Sequence, residues 1–213
     1  MSSLRRTIAV FTASLCATIA GCAISSPQAP EPEQATSPLS SQATTTRQTD
    51  EAGRPLPFET EFTERWSNLN DGSAYEPCTA LDANDAAGLG LDPDSVRDVA
   101  LANYQTARGC GWHFADANTS TLSQGVGNEL PLPQYKKKYA VNINWLYDTA
   151  INGRTVAVGE PKGLQSHSCL TAVQSGSAIV TTSVIISVNP PPTPEICSKA
   201  IAFTRATIDK MPP

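Results

Sequence analysis

Four cysteines set the strongest limit on the fold of this chain: Cys78, Cys110, Cys169 and Cys197. If they are oxidised, two covalent bridges determine which parts of the chain are neighbours. The compartment decides whether they are, because disulfides persist in exported proteins and are rare in the cytosol. The N-terminal sequence indicates the compartment.

The N-terminus has the pattern of a bacterial lipoprotein signal peptide over residues 1–21. Two arginines precede an apolar run that is too short to span a bilayer. The small residues Ala20 and Gly21 stand directly before Cys22, which predicts cleavage there and lipidation of Cys22. An ordinary secretory signal with a cysteine at its cleavage site is the alternative. Because two or more acyl chains, such as palmitate, hold a protein firmly, we expect an extracytoplasmic protein anchored to the outer face of the cell membrane.

Charge argues against one class of partner. Loss of the two signal-peptide arginines leaves 13 of the 15 basic residues against 20 acidic ones, a net charge of −7. An acidic protein lacks the counterion release that drives binding to nucleic acid. We therefore expect no nucleic-acid partner, and an exported chain whose four remaining cysteines form two disulfides.

The composition changes sharply near residue 57. Residues 22–57 are rich in Pro, Ser, Thr, Gln and Ala, with no aromatic residue and hardly a large aliphatic one. Such a stretch cannot bury enough apolar surface to offset the entropy that ordering would cost. We interpret residues 22–57 as a disordered tether behind the lipidated cysteine, and residues 58–213 as a single folded domain.

Strand signals dominate that domain. Asn152-Gly153 takes positive φ angles readily and predicts a tight type I′ hairpin, with Thr155–Val158 as its return strand. A second hairpin is predicted around Gln174–Ser177. Its second strand places Val180, Thr182, Val184, Ile186 and Val188 on one face towards the core, and Thr181, Ser183 and Ser187 on a more polar face. Further strands are predicted at Val96–Ala102, Gly109–Phe114 and Thr121–Val126.

Helix signals flank these strands. Asp82 is a suitable N-cap for a short helix over Ala83–Ala87, and Thr193 for a terminal helix. Residues 135–146 fit either a helix or a strand. Three aromatic residues at helical spacing indicate a short amphipathic element: Phe58, Phe62 and Trp66. The terminal helix has one apolar stripe: Ile196, Ala200, Phe203, Thr207 and Met211. The domain is therefore predicted to be α+β, an antiparallel sheet with flanking helices.

The four cysteines allow three disulfide pairings. Loop entropy does not choose among them, because it grows slowly with loop length. Locality favours Cys78–Cys110 and Cys169–Cys197, since each pair flanks one local unit and would hold a helix to the sheet without a chain crossing.

The sequence contains no recognised catalytic motif. Only two histidines are present, His113 and His167, and no metal-binding or phosphate-binding spacing occurs. A triad of His167 with Ser166 or Ser168 stays open, but no nucleophile elbow supports it. Zinc binding by the four cysteines is the alternative to disulfides. We predict no catalytic residue, no metal and no cofactor.

The one basic run of the domain lies between two tyrosines. It comprises Tyr135, Lys136, Lys137, Lys138 and Tyr139. Aromatic rings flanking cations could contact an anionic wall polymer or lipid, so these residues are the candidate binding site. A solvated face or a charge-protected edge strand is the simpler interpretation.

The order of these parts resembles a known family. The parts are a lipidation motif, a Pro/Ser/Thr tether, Pro77-Cys78 before a helix, Gly109-Cys110-Gly111-Trp112, and Cys169 followed by Pro194-Glu195-Ile196-Cys197. They resemble the actinobacterial envelope lipoproteins of unknown function that include the LprB and LprC type. The likeness covers residues 76–213. It implies an envelope lipoprotein and supplies no catalytic residue.

The sequence favours a non-enzymatic binding or accessory module whose partner is an envelope protein or a wall polymer. One alternative is an envelope-acting hydrolase or transferase with an unrecognised Ser/His or carboxylate site. Another is a lipid or small-molecule carrier, which would need a large apolar cavity.

Overall fold

The computed structural model describes residues 46–213, which form a seven-stranded antiparallel sheet with three α-helices. The strands are β1 (Arg97–Asp98), β2 (Arg108–Phe114), β3 (Ala117–Asn128), β4 (Ile143–Ile151), β5 (Arg154–Pro161), β6 (Ser168–Ser175) and β7 (Ala178–Ile185). The helices are α1 (Ala83–Gly88), α2 (Leu132–Tyr139) and α3 (Thr193–Thr207). The strand order is β1-β2-β3-β7-β6-β5-β4. The α+β prediction is confirmed; the predictions for residues 1–45, Cys22 among them, lie outside the described residues.

Both predicted hairpins are present. Asn152 and Gly153 have φ angles of 50° and 78° between β4 and β5, as a type I′ turn requires. Gly176, with φ 58°, begins the turn between β6 and β7. Local turn chemistry therefore sets the register of four of the seven strands.

Helix α3 covers one face of the sheet and forms the main core. All five residues of the predicted stripe are buried, and the Phe203 ring lies 5.2 Å from the Trp112 ring of β2. Val188 differs from the prediction and is 61% exposed, because β7 ends at Ile185 and the chain then leaves the sheet. Thr193 is not the N-cap; Pro192 precedes the helix and makes no side-chain cap bond.

The two disulfides have the predicted connectivity. Cys78–Cys110 joins a short 3₁₀ helix, Pro77–Thr79, to β2. Cys169–Cys197 joins β6 to α3. The zinc alternative is therefore wrong, and each bridge holds a helix to the sheet within its own local unit.

Two local predictions are wrong. The predicted strand Val96–Ala102 is only two residues long. The aromatic residues at helical spacing do not form a helix, because residues 58–70 run through turns. Phe58 and Trp66 instead pack on the guanidinium of Arg65, whose Cζ lies 5.8 Å and 4.5 Å from the two ring centroids.

The fold begins earlier than the predicted boundary at Phe58. Asp50 is 4% exposed and accepts a hydrogen bond from the Thr79 hydroxyl at 2.6 Å, and Thr49 pairs with Pro55. Leu56 is buried in the core under α3. Composition misplaced the boundary because Leu56 is the one large apolar side chain among residues 46–57.

Truncation tests this boundary. An exported chain that begins at Phe58 should be less stable than one that begins at Thr46, since it loses the burial of Leu56 and the hydrogen bonds of Asp50. We expect a loss of about 2–3 kcal/mol, and a Tm lower by roughly 5–10 °C in a calorimetric scan. Equal Tm values would show that residues 46–57 contribute nothing to the fold.

Candidate binding site

The predicted basic run lies on helix α2, so the edge-strand interpretation is wrong. Lys136 is ion-paired with Asp148 at 2.5 Å, and Lys138 with Glu129 at 2.8 Å. Two of the three lysines are thus matched to carboxylates of the chain itself. The run does not present the continuous cationic surface that an anionic polymer would need.

Helix α2 packs across one end of the second face of the sheet, the face opposite α3. Tyr135 is 7% exposed and packs with Ala157, Ala172 and Ile179, whose small or compact side chains let the helix approach closely. The Tyr135 ring lies 4.6 Å from Tyr139, and the Trp145 indole nitrogen donates a hydrogen bond to a backbone carbonyl of α2. Aromatic packing therefore positions the helix.

Residues 46–213 leave the rest of the second face uncovered. Where β3 and β7 pair, away from α2, the side chains on this face are half-buried and, except for Ile185, short, and no helix of residues 46–213 covers them. We call the following residues the open face: Thr121, Ser123, Gly125, Thr181 and Ser183. Their neighbours on the α3 face, such as Leu122 and Val126, are fully buried. The polar alternation that the sequence showed in β7 is the signal of this uncovered surface.

A cleft of about 170 Å³ lies where the open face meets α2. We call it the α2 cleft. Six of its lining residues determine which groups the cleft offers to a ligand: Gly125, Glu129, Tyr135, Tyr139, Ile179 and Thr181. The sequence pointed to the two tyrosines but not to the other four. Gly125 and Thr181 become neighbours only because β3 pairs with β7.

The charges in the α2 cleft balance each other. The Tyr139 hydroxyl donates to Glu129 Oε1 at 2.5 Å, and Lys138 Nζ donates to the same carboxylate. Burial alone would raise the pKa of Glu129, but these hydrogen bonds hold its pKa below the ordinary value. Glu129 is therefore an ionised carboxylate whose two oxygens are already engaged.

Tyr135 brings a free hydroxyl to the cleft. The residue is 7% exposed, yet its hydroxyl has no hydrogen-bond partner within residues 46–213. Burial is the largest cause that raises the pKa of Tyr135, and Tyr139 and Glu129 add to it, so the hydroxyl stays protonated. The hydroxyl is not one of the polar atoms that are both buried and unpartnered in residues 46–213, so it reaches the solvent of the cleft and can donate to a ligand that enters there.

Gly125 keeps the cleft open. A Cβ atom there would lie 3.7 Å from the Arg108 carbonyl oxygen and 3.9 Å from Thr181 Oγ1, which are ordinary contacts. At Gly127, by contrast, a Cβ atom would lie 2.6 Å from the Thr106 carbonyl oxygen. Backbone packing thus explains Gly127 but does not require glycine at position 125.

The histidines do not assemble a triad. His113 Nε2 lies 3.1 Å from Arg97, and His167 Nδ1 lies 3.2 Å from the Ile186 carbonyl oxygen. Ser168 donates its hydroxyl to the Leu164 carbonyl. Among residues 46–213, neither imidazole ring is hydrogen-bonded to a serine or a carboxylate, and no three metal-ligating side chains cluster.

A larger groove of about 560 Å³ lies at the start of α2 and is mainly apolar. Leu132, Pro133 and Val173 line it. Arg154 also lines it, but its guanidinium donates to backbone carbonyls at the C-terminus, including those of Ile208 and Met211. The groove is open to solvent, and within residues 46–213 none of its lining residues has a buried side-chain polar atom without a partner.

Comparisons with known proteins give one match. The model of a family described as "Protein of unknown function (DUF3558)" matches residues 17–210. No curated protein and no solved structure matches the chain. In the part of the chain that the structure describes, no helix is long and apolar enough to cross a membrane.

Proposed function

The chain belongs to the DUF3558 family of proteins of unknown function, and we propose that it is a non-enzymatic binding module that takes its ligand in the α2 cleft. The observation that carries this proposal is the Tyr135 hydroxyl, which lies at the cleft beside the space that Gly125 leaves and has no hydrogen-bond partner within residues 46–213. A ligand hydroxyl or carbonyl would satisfy it. The partner would be a wall polymer or a component of the envelope.

The second part of the proposal concerns location. We infer that Cys22 is lipidated and anchors the protein to the outer face of the cell membrane. The arginines, the short apolar run and the small residues before Cys22 support this, as do two disulfides, which need an oxidising compartment. We further propose affiliation with the actinobacterial LprB and LprC type, supported by the lipidation motif, the Pro/Ser/Thr tether and the sequence contexts of the four cysteines.

Fractionation tests the anchor. Cys22→Ala should move the protein from the membrane fraction to the soluble extracytoplasmic fraction, because the acyl chains would provide the attachment. Cys16→Ala is the matched control, since that cysteine lies in the segment that we expect to be removed. A Cys22→Ala protein that still sediments with membranes would rule the anchor out.

Retention of an envelope compound tests the cleft. Wild-type protein is mixed with a solvent extract of envelope material, washed, and its bound compounds are identified by mass spectrometry. We expect one retained compound of unchanged mass, and at least a tenfold loss of retention in Gly125→Val. The added methyl groups fill the cleft, whereas Gly88→Val, with no atom within 4 Å of its Cβ, is the control.

The outcomes separate the rival functions. A retained compound whose mass has changed would favour a hydrolase or transferase. An acyl compound whose retention is insensitive to Gly125→Val would favour a carrier that uses the apolar groove. Either result contradicts the proposed function.

A further inference from the structure

We propose that the α2 cleft binds one ring of an uncharged sugar and that the open face carries the following residues of the same glycan. This inference rests on the proposed function and names its ligand class. It combines the charge balance of the cleft, the free hydroxyls of the open face and the size of the cleft.

Charge balance selects an uncharged ligand. Glu129 is neutralised by Lys138 and hydrogen-bonded by Tyr139, and Lys136 is paired with Asp148. A charged ligand would lose hydration in the cleft without meeting a spare counter-charge. Lys137 on α2 and Arg97 at the far edge of the open face have no carboxylate partner within residues 46–213, and Arg97 is hydrogen-bonded to His113; neither cation lines the cleft.

The hydroxyls on the two faces of the sheet differ in whether they have hydrogen-bond partners. On the face that α3 covers, hydroxyls bond each other: Thr204 bonds Thr171 at 2.6 Å and Thr182 at 3.1 Å. On the open face, the hydroxyls of four residues have no hydrogen-bond partner within residues 46–213: Thr121, Ser123, Thr181 and Ser183. Each can both donate and accept, as each hydroxyl of a sugar can.

Their arrangement suits a chain of sugars. Ser123 lies directly opposite Ser183 across the β3–β7 pair, and Gly125 opposite Thr181. Neighbouring strands are about 4.8 Å apart, and residues on one face recur about every 7 Å along a strand. The hydroxyls therefore form a two-dimensional grid that begins at the α2 cleft.

The size of the cleft limits how much of the glycan it can hold. A cavity of about 150 Å³ accommodates a benzene ring. The α2 cleft, at about 170 Å³, has room for one six-membered ring. The rings of Tyr135 and Tyr139 offer apolar contact and the Tyr135 hydroxyl offers a donor, which together match the mixed surface of a sugar ring.

Saturation-transfer NMR with defined probes tests the inference. The probes are methyl glycosides of common neutral hexoses and pentoses, their trisaccharides, glucuronate, glucose 6-phosphate and octanoate. We expect at least one neutral glycoside to bind, its trisaccharide to bind at least tenfold more tightly, and the charged and acyl probes to bind at least tenfold more weakly.

Two variants locate the binding. Tyr135→Phe removes only a hydroxyl that has no partner within residues 46–213, so the fold should persist while affinity for the neutral probe falls about fivefold to tenfold. Tyr104→Phe is the matched control at a tyrosine that is 59% exposed. Gly125→Val should abolish the signal.

The inference is wrong if charged or acyl probes bind best, if Tyr135→Phe binds as the wild type does, or if no neutral sugar binds. If no neutral sugar binds but Gly125→Val still loses the retained envelope compound, the proposed function is supported and only the sugar is rejected as its ligand. If Gly125→Val alters neither experiment, both proposals are wrong.

Discussion

Glu76→Ala should be the most destabilising single substitution that removes a charge from this protein. Glu76 lies between two buried arginines: its carboxylate accepts from Arg65 at 2.8 Å, and Arg108 Nε lies 3.7 Å from it. The side chains of Glu76 and Arg108 are 1% exposed, and that of Arg65 is fully buried. Burial lowers the pKa of Arg108, but an arginine does not deprotonate in a protein, so Arg108 would keep its charge without a carboxylate partner and Arg65 would retain only Asp98.

Breaking a buried ion pair costs about 3–5 kcal/mol, and here one carboxylate serves two cations. Urea unfolding should therefore show a loss of at least about 4 kcal/mol, a large part of the roughly 5–15 kcal/mol that a domain has. Glu76→Gln, which keeps a hydrogen-bond acceptor, should lose less. Exposed Glu61→Ala is the control and should change stability by less than about 0.5 kcal/mol. A loss below about 1 kcal/mol in Glu76→Ala would show that Asp98, 2.8 Å from Arg65 Nε, is a sufficient partner.

Removal of the Cys169–Cys197 disulfide by replacing both cysteines with alanine should have the second largest effect. The bridge closes a loop with a sequence separation of 28 and ties the covering helix α3 to β6. In the chain-entropy account, loss of the bridge gives the unfolded chain more conformational freedom, which lowers the free energy of unfolding by about 3–4 kcal/mol. Both residues are almost fully buried, so the two missing sulfur atoms also leave space in the core.

A calorimetric Tm about 10 °C below that of the wild type is the expected result. Non-reducing peptide mapping of the same variant should still find Cys78 linked to Cys110, because the two bridges belong to separate local units. An unchanged Tm would contradict the structural role of the bridge. A wild-type peptide that links Cys78 to Cys169 would contradict the connectivity.

The features that could be predicted from the sequence are local ones. Asn152-Gly153 specifies its hairpin because both residues adopt positive φ at low cost. The disulfides follow from the same locality, since each pair spans one short unit. The alternation along β7 predicted which side chains meet α3, and failed only at Val188, beyond the end of the strand.

The features that could not be predicted depend on distant parts of the chain. Residues 46–57 have the composition of a tether, yet Asp50 accepts a hydrogen bond from Thr79 and Leu56 packs in the core. Phe58 and Trp66 share helical spacing but pack on Arg65 instead. The α2 cleft also depends on distant parts of the chain, because Gly125 and Thr181 become neighbours only through the pairing of β3 with β7.

Amide chemical-shift mapping on the isotope-labelled exported protein, titrated with the retained envelope compound, tests the α2 cleft most directly as the binding site. The largest perturbations should fall on Gly125, Gly127 and Thr181 of the sheet and on α2 from Tyr135 to Tyr139, with β1 and α3 unchanged. Perturbations concentrated instead around Pro133, Val173 and Arg154, with none at Gly125 or Thr181, would place the ligand in the apolar groove and contradict the proposed site.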